Sequence, residues 1–394
     1  MSFANSAFAL IALATSVAVS TPASRAQTSS PAPAPTPDTV LAIMRKVADW
    51  QIAHPRGDTS ANPRGASIQP TGWVQAAGYT GIMALASLTD DARYFDAMRK
   101  IGDAAGWQLL PRTYDADDHC VAQTYLELFL KFRDPKMLAP AKERFDYILA
   151  NPAAGTLVFD AKTNPGSRNR WSWCDSLFMG PPAWMRLYAA TGNRVYRDFV
   201  VKNWWLTSEH LYDAAEHLYF RDDTFIGTPE KPRLEANGKK IFWSRGNGWV
   251  MGGLARVLQF MRDNDPVRPR FEQQFQEMSA AILAAQQPDG LWRASLLDPA
   301  SYPLKETSGS GFYCYAFAWG VNNGLLDRAT YAPAALKCWQ ALVDCVTPDG
   351  KLTHVQPIGS DPKKFASDST EAYGAGAFLL AGSEIYKLLG GAAK

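Results

Sequence analysis

The sequence predicts an all-α fold in which six inner and six outer helices form a closed double ring. Six segments repeat one pattern: a stretch rich in glycine and aromatic residues, an apolar helical run, a short polar turn and an amphipathic helix. The sixth segment lacks the amphipathic helix, but an unpaired one lies at the N-terminal end and completes the set. The alternative is an open solenoid of helix pairs, which would need polar capping repeats that the sequence does not show.

The N-terminal residues 1–26 are typical of an export signal. The apolar run Ala7–Val19 is too short to span a bilayer, and small residues form a cleavage site that ends at Ala26. Residues 27–37 are rich in proline and predict an extended spacer outside the fold. We therefore expect an exported protein, periplasmic or secreted, whose folded domain covers residues 38–394.

The helices of that domain are predicted in chain order. The first is the amphipathic stretch Asp38–His54. The repeated segments follow at residues 72–107, 118–152, 175–213, 247–290, 310–350 and 371–391. In each complete segment the first run is apolar nearly all round, which predicts an inner helix. The second carries charge on one face, which predicts an outer helix. The turns between them are short and suit antiparallel neighbours.

Composition excludes several classes of function. With 40 basic and 38 acidic residues, the charge is nearly balanced, so neither nucleic acid nor an anionic membrane is an expected partner. The 13 Trp, 15 Tyr and 19 Phe supply rings that can stack on sugars, although large cores use them too. The five cysteines show no CxxC spacing and predict buried apolar residues, with neither a disulfide framework nor structural zinc.

The loops that lead into the inner helices are enriched in Trp, Asp, His, Arg and Gly, whereas the opposite turns have ordinary surface composition. In a closed ring these loops converge on one mouth. The asymmetry therefore places a binding site at that end.

Five stretches resemble motifs of glycoside hydrolase family 105, the unsaturated rhamnogalacturonyl hydrolases, which are related to the unsaturated glucuronyl hydrolases of family 88. They are "WCDSLFMGPP", "FWSRGNGWVMGGLARVL", "GLWRASLLDP", "ETSGSGFYCYAFAWGVNNGLLD" and "TEAYGAGAFLLAGSEI", and they follow the family's order within residues 72–387. The resemblance implies a six-hairpin α/α barrel.

The resemblance also implies an activity. An enzyme of this kind removes a 4,5-unsaturated uronic acid from the non-reducing end of oligosaccharides that a polysaccharide lyase has produced, usually from rhamnogalacturonan, a pectin. One carboxyl group protonates C4 and then deprotonates the water that adds to C5, and the resulting hemiketal collapses with release of the neighbouring sugar. No cofactor is implied, and the partner is the unsaturated oligosaccharide.

Asp175 is the candidate catalytic acid. The alternative is that it only caps the next helix, a common role for aspartate. Gly180, Pro181 and Pro182 argue against a continuous helix from that point, and Pro181 or Pro182 is a better first-turn residue. Asp175 then lies on a short loop among aromatic residues, and by resemblance it matches the family's catalytic acid/base.

The stretch "YDADDHC" supplies a second candidate. By resemblance, Asp118 and His119 match an aspartate–histidine pair that holds substrate hydroxyls or tunes Asp175, although a solvated turn would have the same composition. Asp117 is the alternative to Asp118 as the residue that faces the site, and Asp115 is expected at the surface.

Arginine and tryptophan side chains complete the predicted site. The planar fork of Arg245 can hold the substrate carboxylate, the alternative being an ion pair with a loop acid. Trp249, Trp73, Trp173 and Trp243 offer stacking faces, against the alternative of ordinary core packing.

Arg221 stands where many members of the resembled family carry a histidine, and it would suit an additional anionic or hydroxyl-rich group of the substrate. His210 and His217 lack a third ligand at suitable spacing, so no metal site is predicted. Glu306, Thr307, Glu371 and Tyr373 are expected to hydrogen-bond neighbouring loops of the mouth.

Two other functions remain open at this stage. An inverting glycosidase would use Asp118 and Asp175 as separate acid and base on saturated sugars. A non-catalytic helical module would bind sugar with the aromatic residues alone. The sequence does not indicate an oligomeric state.

Overall fold

In the computed structural model, residues 1–2, 34–55, 69–160, 166–228 and 230–392 are described, and the chain from Pro35 onward is one compact unit. Residues 3–33, which include all but two residues of the predicted export signal and the first seven of the Pro-rich spacer, lie outside the described residues. Thr36 caps the first helix, which begins at Pro37, one residue before the predicted boundary.

Helices account for almost all regular structure in the described part of the chain. They are α1 (Pro37–Ala53), α2 (Trp73–Thr89), α3 (Ala92–Ala104), α4 (Ala116–His119), α5 (Val121–Phe132), α6 (Ala139–Ala150), α7 (Ser176–Met179), α8 (Pro181–Thr191), α9 (Arg194–Leu211), α10 (Ser244–Leu258), α11 (Arg268–Ala284), α12 (Thr307–Asn322), α13 (Arg328–Val343) and α14 (Ala372–Leu388). Two small antiparallel pairs join β1 (Tyr212–Asp213) to β2 (Leu218–Tyr219) and β3 (Gly227–Thr228) to β4 (Lys231–Pro232). None of these helices is both long and apolar enough to cross a membrane.

The inner ring is closed. Helix α2 packs against α5, α5 against α8, α8 against α10, α10 against α12, α12 against α14, and α14 returns to α2. A Cβ on Gly78 would lie 2.8 Å from the carbonyl oxygen of Ala372, and one on Gly81 would overlap the backbone of Gly376. Glycine is therefore required where the two ends of the chain meet. The closed double ring is confirmed, and the open solenoid is wrong.

The outer ring consists of α1, α3, α6, α9, α11 and α13, and α1 packs against α14 as predicted. Every residue of α10 is buried, as expected for an inner helix. On the outer helix α3, by contrast, Tyr94, Phe95, Met98 and Gly102 are buried while charged residues face outward. All five cysteines are buried thiols, as predicted.

The loops that lead into the inner helices lie at one end of the barrel. Two of them contain a single helical turn, α4 before α5 and α7 before α8. Proline at the start of α8 explains the second break, because Pro181 can begin a helix but cannot continue one. The loop between α13 and α14 also reaches this end. Its residues 356–369 are called the rim loop below.

Candidate active site

A cavity of about 760 Å³ opens among these loops. Its wall carries seven charged side chains from four separate stretches of the chain: Arg112, Asp117, Asp118, Arg168, Asp175, Arg221 and Lys363. Trp73, Phe159 and Trp173 supply aromatic surface beside them. A concave site of this size with a few convergent polar groups is typical of a ligand pocket.

Asp175 lies on the wall of this cavity and is only 9% exposed. It precedes α7, but its side chain makes no capping hydrogen bond, and its own backbone is already helical. Its nearest polar neighbours are the thiol of Cys174, which donates to Oδ2 at 3.5 Å, and Nε of Arg221, 3.6 Å from the same oxygen. The interpretation of Asp175 as a simple cap is therefore wrong, and its carboxyl group is available to a ligand.

Arg221 is held beside Asp175 by its own backbone, because its carbonyl accepts a hydrogen bond from the Cys174 amide at 2.8 Å. One terminal nitrogen of the guanidinium donates to Asp222 at 2.6 Å, and the central carbon of the guanidinium lies 4.7 Å from the ring centre of Phe159. The Nε is buried and has no hydrogen-bond partner among the described residues. A buried, unpartnered donor of a charged group is costly, so it marks a position for a ligand acceptor.

The three acids of the "YDADDHC" stretch belong to one buried charge cluster. Asp118 accepts hydrogen bonds from the backbone and side chain of Arg112 at 2.5 to 3.1 Å. Asp117 accepts one from Arg168 at 2.5 Å. Asp115 bridges both arginines and caps α4 through the Asp117 amide. The surface position expected for Asp115 is wrong, because it is 2% exposed.

The two acids of this cluster that reach the cavity differ in their electrostatics. Burial raises the pKa of Asp117 to about 7 despite the Arg168 guanidinium, and the negative charges of Asp115 and Asp175 add to the rise. Burial also raises the pKa of Asp118, although Arg112 opposes it with three hydrogen bonds. The sequence left open whether Asp117 or Asp118 faces the site. In the structure both acids line the cavity.

His119 does not reach the cavity. Its Nε2 lies 2.9 Å from the carbonyl oxygen of Thr113, and its ring packs edge-on against Phe145 and Trp184. Burial lowers its pKa to about 4, so the imidazole is neutral at physiological pH. The predicted substrate contact is therefore wrong. Adjacent residues of a helical turn point in different directions, and His119 points into the wall behind Asp118.

Arg245 does not line the cavity either. It is 1% exposed, and its two terminal nitrogens donate to the carbonyl oxygens of Gln356 at 2.5 Å and Pro357 at 2.9 Å. The guanidinium lies between the rings of Trp243 and Tyr373, 4.5 and 4.9 Å from their centres. Arg245 thus fixes the start of the rim loop, and a direct hold on the substrate is not what the structure shows.

The four tryptophans divide into two groups. Trp73 and Trp173 line the cavity: Trp73 is partly exposed and stacks on Tyr373, whereas Trp173 is 1% exposed and lies beneath the guanidinium of Arg168. Trp243 and Trp249 are at most 1% exposed and pack in the core, where Trp243 also donates to the side chain of Gln356. The stacking role predicted for the second group is wrong.

Of the residues expected to tie the loops together, Glu371 shows no side-chain hydrogen bond within the described part of the chain. Thr307, Glu306 and Tyr373 do form such bonds, the last two with Gln356. Its amide donates to Glu306 at 3.3 Å, and its carbonyl accepts from Tyr373 at 2.6 Å. Thr307 donates to the carbonyl of Thr353 at 2.8 Å. Glu371 lies near Arg245, yet burial raises its pKa to about 7.

Several residues of the wall were missed in the sequence: Arg112, Phe159, Arg168 and the rim-loop residues 358–360 and 363. None belongs to a repeated motif. A signal existed only for the arginines, because three acids within four residues require nearby cations if they are buried. Within the described residues no group of three His, Cys, Asp or Glu side chains could hold a metal ion.

The family model described as Glycosyl Hydrolase Family 88 matches residues 43–389. The chain is 42% identical over 352 residues to an unsaturated 3S-rhamnoglycuronyl hydrolase of Formosa agariphila, covering 88% of this chain and 90% of that protein. It is 33% identical over 359 residues to a protein of the same name from an Alteromonas species, covering 88% and 86%.

A solved structure named as a polysaccharide lyase superimposes with a TM-score of 0.78 at 31% identity, covering 91% of this chain and 99% of that one. The closed double ring of helices, together with solved structures of a Family 88 protein and of a possible GH105 member that superimpose with TM-scores of 0.77 and 0.73, confirms the six-hairpin α/α barrel expected from the sequence. The family model and the identity to these relatives, together with the cavity lined by acids, show that the chain belongs to Glycosyl Hydrolase Family 88 and is a glycoside hydrolase.

Proposed function

We propose that the protein removes a 4,5-unsaturated uronic acid from the non-reducing end of lyase-generated oligosaccharides, with Asp175 as the catalytic acid and base. One observation carries this assignment: Asp175 is buried at the cavity, caps no helix and lies 3.6 Å from a cation with a free donor. A glycosidase that hydrates a double bond needs only one such carboxyl group at the reacting carbon.

The proposed reaction has three steps: protonation of C4, addition of water to C5 and opening of the hemiketal. The carboxylic acid of Asp175 gives its proton to C4, and the positive charge that develops at C5 is shared with the ring oxygen. Water attacks C5 and returns a proton to the Asp175 carboxylate. The hemiketal then opens, and the neighbouring sugar leaves with the proton it needs. Asp175 ends as it began.

We assign to Arg221 the carboxylate-binding role that was expected of Arg245. A carboxylate at C5 of the uronate can accept a charge-assisted hydrogen bond from the unpartnered Nε of Arg221, and this contact holds the adjacent C4 at Asp175. Arg112 and Arg168 are paired with Asp115, Asp117 and Asp118, so we assign them the role of positioning these acids.

The remaining wall residues bind the sugar. Trp73, which is partly exposed, offers ring surface, and Asp117 and Asp118 offer carboxyl oxygens to hydroxyl groups. The names of two relatives favour an uronate linked to rhamnose, a rhamnoglycuronyl fragment, over the pectin-derived rhamnogalacturonyl fragment that the motifs alone favour. Because lyase products of such polymers form outside the cell, the proposal also includes export through residues 1–26.

A single assay tests the function. The protein is incubated with unsaturated rhamnoglycuronyl and rhamnogalacturonyl disaccharides, and the ultraviolet absorbance of the conjugated double bond is followed. We expect loss of absorbance that Asp175→Asn abolishes and that the matched control Asp96→Asn, on the exposed face of α3, leaves unchanged. Cleavage of saturated oligosaccharides alone would support the inverting glycosidase. A rise in absorbance with intact polymer would support a lyase, and binding without turnover a sugar-binding module.

A further inference from the structure

A second cavity, of about 330 Å³, lies at the opposite end of the inner ring. The turns at that end have an ordinary surface composition. The last turns of α2, α5, α10 and α14 line this cavity, and the exposed side chains of Lys131 and Lys387 stand at its opening. It shares no wall residue with the cavity that contains Asp175. We call it the far-end cavity.

Buried charge surrounds the far-end cavity. Arg256, 3% exposed, donates to Gln123 at 2.8 Å and to Oε1 of Glu127 at 2.9 Å. Arg186, fully buried, donates to the same Oε1 at 2.6 Å and to the Pro182 carbonyl at 2.9 Å. Two guanidinium groups therefore share one carboxylate, and the buried cluster carries an excess positive charge.

Arg186 is the more deeply buried of the two arginines. Burial lowers its pKa to about 10, and the neighbouring Arg256 guanidinium also lowers it, while the Glu127 carboxylate raises it. The second pair at this end, Lys387 with Glu384 at 2.7 Å, is already neutral. A buried charge is stable only when it is paired, so an anion in the far-end cavity would balance the cluster.

Three polar groups on the wall are left over from these contacts. The second terminal nitrogen of Arg256 and the Oε2 of Glu127 take part in none of the hydrogen bonds above. The hydroxyl of Tyr315, a cavity-lining residue that is only 2% exposed, also takes part in none of them. Burial raises the pKa of Tyr315, so its hydroxyl remains a neutral donor.

We propose that the far-end cavity binds a small hydroxylated monoanion of the sugar-acid class, about one monosaccharide in size. The carboxylate would lie at Arg256 and the Tyr315 hydroxyl, while a ligand hydroxyl would donate to the remaining oxygen of Glu127. A volume of about 330 Å³ is at the small end of natural ligand pockets and suits one ring. The site needs both kinds of ligand group, since neither a bare oxyanion nor a neutral sugar satisfies all three protein atoms.

Isothermal titration calorimetry tests this proposal with D-glucuronate, D-glucose and inorganic sulfate as probes. The Arg221→Gln variant is the background, because the role proposed for Arg221 predicts weaker binding of the same probes at the Asp175 cavity. We expect saturable glucuronate binding that Tyr315→Phe weakens about tenfold or more, the cost of one hydrogen bond to a charged group. The matched control is Tyr125→Phe, which removes an unpartnered buried hydroxyl of α5 that faces neither cavity.

The outcomes separate clearly. Glucuronate binding that is unchanged in Tyr315→Phe, or equally weakened in Tyr125→Phe, would overturn the proposal. Sulfate binding as strong as glucuronate binding would overturn the sugar-acid assignment and show a site for charge alone. Because the two tyrosine variants are compared in one background by binding and not by turnover, the comparison does not require Asp175 to be catalytic.

Discussion

The Nε of Arg221 lies 3.6 Å from Oδ2 of Asp175, and no other acceptor among the described residues occupies that nitrogen. A cation beside the catalytic carboxyl group is useful because the substrate itself carries a carboxylate next to the reacting carbon. Binding of the substrate carboxylate by Arg221 would therefore place the adjacent reacting carbon at Asp175. The predictions below follow from this arrangement and from the charge cluster opposite it.

Replacing Arg221 by glutamine should weaken recognition of the substrate carboxylate. We expect kcat/KM to fall about 10- to 100-fold, the range for losing a charge-assisted hydrogen bond. The methyl ester of the same unsaturated disaccharide lacks the anionic group, so its kcat/KM should change little between wild type and Arg221→Gln. Equal losses for acid and ester would show that Arg221 acts on Asp175 or on the fold and not on the substrate carboxylate.

Replacing Arg245 by methionine should loosen the rim loop without removing a substrate contact. The Pro357 carbonyl would lose its side-chain donor, the Gln356 carbonyl would keep only Tyr373, and Glu371 would lose its nearby cation. We expect a melting temperature lower by several degrees and faster hydrogen exchange within residues 356–369, because a buried charged partner is removed. The preference for acid over methyl ester should persist. Loss of that preference with normal exchange would instead restore Arg245 as the carboxylate-binding residue.

Asp117 should make the protein less stable as the pH rises. Its folded-state pKa is about 7, raised mainly by burial, whereas an unfolded aspartate titrates near 4. The folded state therefore binds more protons between these values, so the contribution of Asp117 is fully present below about pH 4 and lost as the pH passes 7. In Asp117→Asn the free energy of unfolding should fall less between pH 5 and pH 8 than in wild type.

The control for this pH effect is Asp96→Asn, whose side chain is half exposed on α3. Its unfolding free energy should follow the wild-type pH dependence. Denaturant titrations at each pH give the free energy of unfolding. Its change with pH is compared between wild type and variant, because a pH-independent effect of the substitution cancels from that change. Parallel curves for wild type and Asp117→Asn would contradict the elevated pKa.

The fold could be predicted because every level of the sequence agrees on it. Apolar runs alternate with amphipathic ones, and the unpaired helix at one terminus matches the missing partner at the other. The position of Asp175 followed from Pro181 and Pro182, which forced a break in the helix and left the acid on a short loop. These signals depend on residues that are close together in the sequence, so they can be recognised before the structure is known.

Much of the site could not be predicted, because its geometry depends on long-range contacts. Arg112 and Arg168 carry no motif and acquire meaning only when the Asp115 cluster is buried around them. Arg245 and Trp249 stand in a recognisable motif, but a motif does not state whether a side chain faces a ligand or a neighbouring loop. His119 was misplaced for the same reason: neighbours in sequence on a helical turn diverge in space.

The chemistry assigned to Asp175 is tested most directly by running the reaction in D₂O and following the product by proton NMR from the earliest turnovers. Delivery of the proton by one fixed carboxyl group predicts a single deuterium at C4 in one stereochemical configuration, and no such product from Asp175→Asn. Release of the sugar with an undeuterated C4, or with both configurations in equal amounts, would contradict the account.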